Sequence, residues 1–243
     1  MASEAERPAF YALRPGGWRD LVTVLHPPYT AWHLSYVAIG AATAPHLYVG
    51  RLCAALGAFF LAVGVSAHAL DELNGRPLGT RLSDRTLWAA AVAALAGALA
   101  LGIVGAVTVS AWLIAFMAVG SFLLVAYNLE LFGGRFHSDA WFALAWGAFP
   151  ALTGYWINAL NITVQAVIVA AGCVLLSAAQ RRLSTPVREL RRRTVEVSGV
   201  QRLRDGTVLP LSAQRIGGPI ERALSALSLG LVLLAAGLVA ARL

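Results

Sequence analysis

The sequence predicts an all-α integral membrane protein, a polytopic bundle of about seven transmembrane helices. Three observations support this prediction. Hydrophobic residues make up 58% and charged residues 13% of the 243 positions, whereas a soluble domain has about 25% charged residues. Apolar runs recur that are long enough for a bilayer core of about 30 Å, which a helix crosses in roughly 20 residues. The basic residues concentrate between these runs and mostly on one side of them.

Seven apolar segments meet the length requirement, and the tight connections at 107–108 and 160–161 predict antiparallel neighbouring helices. The predicted spans are 29–46, 50–71, 86–106, 109–128, 139–159, 162–180 and 219–241.

Arginine supplies every strongly basic side chain, because the chain contains no lysine. Only Arg51 and Arg242 fall near the face opposite the N-terminus, and all twelve acidic residues share the N-terminal side. Cytoplasmic loops carry the excess of basic residues, so we predict a multi-pass plasma membrane protein with the N-terminus inside and the C-terminus outside. The net charge of +7 lies beside apolar spans, which favours contact with anionic membrane lipids and not with nucleic acid.

The predicted organisation has four parts. Residues 1–28 form a cytoplasmic N-terminus with a short interfacial helix within 16–26, and residues 29–180 form a six-helix transmembrane core. A basic cytoplasmic segment, 181–218, precedes a C-terminal transmembrane helix in 219–243. In that segment β-branched residues alternate around Asp205-Gly206, a strong turn signal, which predicts a β-hairpin. The basic segment also contains a predicted lipid-facing patch, formed by Arg188, Arg191, Arg192 and Arg193.

The stretch "AHALDELNGRPLGT" ends the second apolar run with three side chains that can ligate metals. His68, Asp71 and Glu72 follow i, i+3, i+4 spacing, so they share a helical face. Carboxylates favour Mg²⁺, and a histidine in the set also admits Mn, Fe or Zn. The alternatives are a solvated helix end for the two acids and a satisfied core position for the histidine.

Polar residues after this helix end are predicted to bind substrate. Arg76 and Arg81 have the chemistry to grip a diphosphate, although both equally suit the inner leaflet of a membrane. Asn74 in the same loop and Arg135 in the loop "GGRFHSDAW" complete the predicted substrate-binding set.

A second polar cluster follows the fourth apolar run. Glu130, His137 and Asp139 are further candidate metal ligands across the Gly133-Gly134 turn, although Asp139 equally suits a helix N-cap. Tyr127 and Asn128 end the preceding helix. They are candidates for an acceptor site or, alternatively, interfacial anchors.

Three segments within 25–160 resemble the UbiA superfamily of intramembrane prenyltransferases. "LHPPYTAWHLSYVAIGAA" is similar to the family's entry into its first helix, and "AHALDELNGRPLGTRLS" to its first aspartate-rich motif and the loop that follows. "AYNLELFGGRFHSDAWFALAWGAFPALTGYW" looks like a later motif and the small-residue helix after it. His68 stands where the family has a metal-binding aspartate. The place of the second aspartate-rich motif reads "SAAQRRLSTPVRELRRR" and has no such motif.

The resemblance implies an enzyme that acts on a prenyl diphosphate or related isoprenoid lipid at the cytoplasmic side, by metal-assisted prenyl transfer or cyclisation. Asp71 would be catalytic and, with His68 and Glu72, would hold Mg²⁺ or another divalent metal. Tyr127 and Asn128 would shape the acceptor site.

Two alternatives are a metal-dependent lipid-modifying enzyme of another class and a non-catalytic lipid-binding or scaffold protein. The expected partners are the isoprenoid substrate and membrane lipids, with an unspecified protein partner and no nucleic acid.

Overall fold

A computed structural model describes residues 7–243, so the first six residues of the predicted N-terminal part lie outside the described residues. The described chain is mostly helical. Its main helices are α1 (Trp18–Val24), α2 (Pro27–Thr43), α3 (Val49–Leu73), α4 (Asp84–Thr108), α5 (Leu113–Asn128), α6 (139–159), α7 (Val164–Arg192) and α8 (Ala213–Ala240). A short helical turn, Leu131–Gly134, lies between α5 and α6, and two strands, β1 (Val200–Arg202) and β2 (Val208–Pro210), lie between α7 and α8.

Four helices, α3, α4, α7 and α8, are long and apolar enough to cross a membrane, and α5 is a shorter apolar helix. This agrees with the predicted membrane protein. Each of the seven predicted spans overlaps one of α2 to α8. The count of seven spans and their orientation stay predictions.

Side-chain caps begin several of these helices. The hydroxyls of Ser83, Thr163 and Ser212 accept hydrogen bonds from backbone N–H groups in the first turns of α4, α7 and α8. Pro27 occupies the first position of α2, where its missing N–H costs no helical hydrogen bond. These local signals explain why the helices start where they do.

Helix α2 lies at the centre of the bundle, packed against α6 and α8. Its contact with α6 is a backbone contact that glycine makes possible. A Cβ on Gly40 would lie 2.0 Å from the carbonyl oxygen of Ala151, and one on Gly154 would lie 2.1 Å from that of Val37. Small residues let membrane helices approach closely, and here they fix α2 against α6.

Helices α3 and α6 each contain a π-helical segment, Phe60–Ala67 and Leu144–Ala148. Buried residues of both segments, including Val63 and Trp146, belong to one hydrophobic cluster. π-Helical turns are rare and frequently occur at functional sites. The two segments here adjoin the cavities described below.

The predicted β-hairpin is confirmed. β1 and β2 pair antiparallel, with Val200 opposite Pro210. Gly206 has a φ of 88°, in the left-handed region that glycine adopts without strain. The Asp205 carboxylate accepts a hydrogen bond from the N–H of Thr207 at 2.9 Å and completes the turn.

Helix α7 continues to Arg192, well past residue 180, where the predicted sixth span ends. Basic residues in the last turn suit the negative end of a helix dipole. The Arg191 guanidinium also pairs with Glu221 of α8, with the Nη2–Oε2 distance at 2.9 Å. The first part of the basic segment therefore packs on the bundle as a helix.

Candidate functional site

A polar cavity of about 400 Å³ lies at the arginine-rich end of the bundle, where α3, α5 and α7 finish and α2 and α6 begin. Side chains from all five helices line it, and Tyr11 of the N-terminal segment and His26 before α2 close it. Its walls contain histidines, tyrosines, arginines and the carboxylate of Asp71. The cavity therefore brings together residues that are far apart in the sequence, from Tyr11 to Arg193.

Helix α3 contributes His68 and Asp71, two of its three predicted metal ligands. The His68 ring stacks on His26, with ring centroids 4.1 Å apart and planes 13° from parallel. Its Nδ1 lies 3.3 Å from the carbonyl oxygen of Gly64 and 3.5 Å from the hydroxyl of Thr30. His68 is thus positioned by α2 and by its own helix, with its ring at the cavity wall.

Glu72, the third predicted ligand, does not line the cavity. It is fully buried, and its carboxylate accepts hydrogen bonds from the N–H of Leu78 at 2.9 Å and from the N–H and hydroxyl of Thr80, both at 2.8 Å. Successive helical residues point about 100° apart, so the helix directs Asp71 into the cavity and Glu72 towards the following loop. Glu72 anchors that loop.

The loop residues predicted to bind substrate hold the loop instead of facing the cavity. Arg76 forms an ion pair with Asp84 and donates a hydrogen bond to the Leu82 carbonyl at 2.6 Å. Asn74 donates to the Asn128 carbonyl at 3.3 Å and joins the ends of α3 and α5.

The backbone N–H of Arg81 donates to the Asp20 carboxylate at 3.0 Å, which ties the same loop to α1. The Arg81 side chain is exposed, as is that of Arg135. Neither arginine lines the cavity.

The end of α5 supplies Tyr127 and Asn128, and the next loop supplies His137. The His137 ring stacks on Tyr127 at 4.4 Å, and its Nδ1 lies 3.0 Å from the Tyr127 carbonyl oxygen. The Asn128 side chain donates to the Leu124 carbonyl at 2.8 Å. These three predicted site residues are therefore together at the cavity wall.

Glu130 and Asp139, the other predicted ligands of this cluster, lie outside the cavity with side chains 53% and 72% exposed. Asp139 pairs with Arg181 at 3.0 Å. The N-cap of α6 is Ser138, whose hydroxyl accepts from the N–H of Trp141, so Asp139 occupies the first turn after it.

The basic end of α7 faces the cavity, which corrects the prediction of a lipid-facing patch. Arg181, Arg188 and Arg192 line it, and their spacing of i, i+7 and i+11 places them on one helical face. Arg193 also lines it, while Arg191 pairs with Glu221. Where the resemblance expects a second acidic motif, this chain places guanidinium groups.

Of the four carboxylates predicted to bind Mg²⁺, only that of Asp71 lines the cavity, together with His68. Mg²⁺ is usually bound through one or two carboxylates, with water and substrate phosphates completing its octahedral shell, so a Mg²⁺ site at Asp71 stays a prediction. Over residues 7–243, no cluster of three or more His, Cys, Asp or Glu side chains is arranged to hold a metal ion. The cavity instead combines Asp71 with several arginines, a set suited to an anion.

Burial keeps the side chains that close the cavity in their neutral forms. It lowers the pKa of His26 well below its ordinary value, and electrostatic repulsion from His68, Arg192 and Arg188 acts in the same direction. Burial likewise raises the pKa of Tyr11 well above its ordinary value, with Tyr29 adding to the effect. At neutral pH the arginines therefore provide the positive charge of this wall.

A second cavity of about 360 Å³ lies among α3, α4, α5 and α6, and its lining is almost entirely apolar. It shares Val63 and Trp146, one residue from each π-helical segment, with the polar cavity. From Gly50 to Val63 its α3 wall extends about 20 Å at 1.5 Å per residue. A polar, cationic compartment thus adjoins a long apolar one.

Comparison with known proteins gives no relative for this chain: no family model, no curated protein and no solved structure matches it.

Proposed function

We propose that the protein is a multi-pass plasma membrane protein that binds a prenyl diphosphate or a related isoprenoid lipid, as a UbiA-like enzyme. The observation that carries the proposal is the arginine face of α7, which lines a polar cavity beside the apolar cavity. Arginine binds phosphate oxygens through paired N–H groups. Apolar walls suit an isoprenoid chain.

The positive-inside rule supports a cytoplasmic location for this cavity. The arginines of α7 and of the 74–81 loop lie at its end of the bundle, whereas Arg51 lies at the other end, where it donates to the Ile157 carbonyl at 3.0 Å. This asymmetry favours entry of a charged head group from the cytoplasm.

The proposed reaction is prenyl transfer or cyclisation. The bond between C1 of the prenyl chain and the diphosphate oxygen breaks, and its electron pair leaves with the diphosphate. An acceptor nucleophile, or a double bond of the chain itself, then bonds to the allylic cation, and the resulting cationic adduct gives up a proton to the Asp71 carboxylate. Arg188 and Arg192 would stabilise the negative charge that develops on the leaving group, while Asp71, Tyr127 and Asn128 would act on the acceptor side.

Binding of geranylgeranyl diphosphate to the detergent-purified protein tests the proposal, with and without Mg²⁺. Arg188→Gln removes a charged hydrogen-bond donor of the kind that contributes about 1.5–3 kcal/mol, so the affinity falls about 10- to 100-fold. Arg215→Gln, at an exposed position near the start of α8, is the matched control and keeps wild-type affinity. Absence of binding, or equal binding by the Arg188 variant, contradicts the proposal.

A non-catalytic lipid-binding protein is the second candidate, because only Asp71 of the four predicted acidic residues lines the cavity. Release of diphosphate separates the two candidates. The enzyme releases diphosphate from a bound prenyl diphosphate at a rate that Asp71→Asn lowers. The lipid-binding protein binds the same molecule and releases none.

A further inference from the structure

Residues 7–13, which we call the N-terminal strap, form neither helix nor strand. The end of α7 holds the first two residues of the strap. Nη1 of Arg191 donates to the carbonyl oxygen of Arg7 at 3.1 Å, and Nε of Arg192 donates to the carbonyl oxygen of Pro8 at 3.1 Å. The strap is therefore fastened to the helix whose arginines line the polar cavity.

The rest of the strap is attached on the other side of the bundle end. Ala9 and Ala12 form a small buried cluster with Leu78 of the loop that follows α3. The N–H of Leu13 donates to the hydroxyl of Thr23, in α1, at 3.0 Å. The strap thus runs from the end of α7 to the loop after α3.

Tyr11 lies between these two sets of attachments and lines the polar cavity. The centroid of its ring lies 5.4 Å from that of His26 and 5.5 Å from that of Tyr29, and both of these residues also line the cavity. The strap therefore supplies part of the cavity wall at the end of the bundle that carries the arginines.

The strap is attached in a way that suits a movable wall. Its contacts with the bundle are side-chain hydrogen bonds, two alanine methyl groups and ring edges, and segments with few buried contacts open more readily than helices of the core. Gly16 and Gly17 follow the strap with φ values of 124° and 62°. A Cβ on either glycine would meet nothing within 4 Å, so backbone freedom and not packing favours glycine there. Such a pair is suited to act as a hinge.

Arg192 belongs both to the strap contact and to the cavity wall. A guanidinium group has five N–H donors, and only Nε is used by the Pro8 carbonyl. A guanidinium already held on one side loses less freedom when it binds an anion with its other donors. Phosphate binding and attachment of the strap therefore favour each other.

We propose that the N-terminal strap is a lid that closes over a phosphate-bearing ligand, and that Arg192 couples ligand binding to closure. The proposal rests on the proposed function, because the ligand is the one that the α7 arginines bind. A closed lid retains the ligand and excludes water from it. Because coupling between two sites is reciprocal, the bound ligand in turn holds the strap closed.

Hydrogen exchange of the backbone amides of residues 9–13 tests the coupling on the full-length, detergent-purified protein. Saturating geranylgeranyl diphosphate should slow this exchange about 10-fold in the wild type. Arg188→Gln, at a cavity residue whose guanidinium bonds to Thr185, should show the same slowing at saturation, whereas Arg192→Gln should show none. Unchanged or faster exchange in the wild type, or equal slowing in the two variants, overturns the proposal.

The release rate of geranylgeranyl diphosphate tests the lid itself. Ala12→Phe places a ring at a position that is 1% exposed and packed on Leu78, so it displaces the strap and should speed release about 10-fold. Leu78→Ala weakens the same contact, keeps the backbone N–H that Glu72 holds, and should speed release about 5-fold. It keeps the test decisive if Ala12→Phe does not fold. Ala213→Phe, at an exposed position at the start of α8, is the control and should keep the wild-type rate.

Wild-type release rates in the strap variants overturn the proposal and make the strap a fixed wall. The proposed function survives that result if geranylgeranyl diphosphate binds the wild type and Arg188→Gln weakens the binding. A wild type that binds no geranylgeranyl diphosphate overturns the proposed function and the lid together. The two failures are therefore distinguishable.

Discussion

Replacing Glu72 separates a structural role from a metal-binding role. Its carboxylate accepts three hydrogen bonds, from Leu78 N–H and from the N–H and hydroxyl of Thr80, at 2.8–2.9 Å. A hydrogen bond to a charged group contributes about 1.5–3 kcal/mol. Glu72→Gln replaces one carboxylate oxygen by an amide NH₂ group that faces other donors, so it should lower the free energy of unfolding by about 2 kcal/mol. Glu72→Ala removes all three hydrogen bonds, and because the loop relaxes only in part it should lower the free energy of unfolding by about 4 kcal/mol.

Thermal unfolding in detergent measures this loss, with and without Mg²⁺. A change of 1 kcal/mol shifts Tm by about 2–4 °C in a chain of 150–250 residues. Glu72→Ala should then lower Tm by about 8–16 °C by the same relation, to the same extent in both buffers. Glu196→Gln, at an exposed position beyond α7, is the matched control. A variant with wild-type Tm that loses only an Mg²⁺-dependent stabilisation would refute the loop-anchor role and restore Glu72 as a ligand.

The remaining predictions concern helix packing and pH. Gly154→Ala places a Cβ 2.1 Å from the Val37 carbonyl oxygen and should lower Tm and expression. Gly172→Ala is the control and should keep wild-type values, because its Cβ meets nothing within 4 Å. Equal Tm values for the two variants would refute the close contact between α2 and α6. Because burial lowers the pKa of His26 in the folded state, the unfolded state binds more protons as pH falls below about 6.5. The Tm of the wild type should therefore fall more between pH 7.5 and pH 5 than the Tm of His26→Asn. Asparagine is chosen because it tolerates the left-handed backbone at this position (φ 46°). Parallel Tm curves for the two proteins would contradict this prediction.

The helices and the hairpin were predictable because local patterns decide them. Apolar length predicts the long helices, and Asp205-Gly206 predicts the turn. The end of α7 was missed because a hydropathy window stops at the first charges, although the helix continues to Arg192. The spacing of Arg181, Arg188 and Arg192 on one helical face was the signal that could have revealed their common direction.

The candidate site was predictable only in part. His68, Asp71, Tyr127, Asn128 and His137 do meet at one cavity, because the ends of successive antiparallel helices lie at the same depth. The i, i+3, i+4 spacing predicted one shared face for His68, Asp71 and Glu72. The side chains of the neighbours Asp71 and Glu72 point about 100° apart around the helix axis, so Asp71 lies at the cavity wall and Glu72 holds the following loop.

His26 and Gln180 were missed altogether among the site residues. Neither belongs to a motif that predicts a site, and only tertiary packing places them at the cavity. Their burial without a hydrogen-bond partner is a property of the folded chain, and no sequence pattern predicts it.

Native mass spectrometry of the protein purified from its own membrane tests the central claim most directly. The claim predicts a co-purified, phosphate-bearing lipid at about one per chain, retained by the wild type and by Arg215→Gln and lost from Arg188→Gln and Arg192→Gln. Equal lipid occupancy in all four proteins, or a bound lipid without a phosphate, would contradict the assignment of the α7 arginines to an anionic head group.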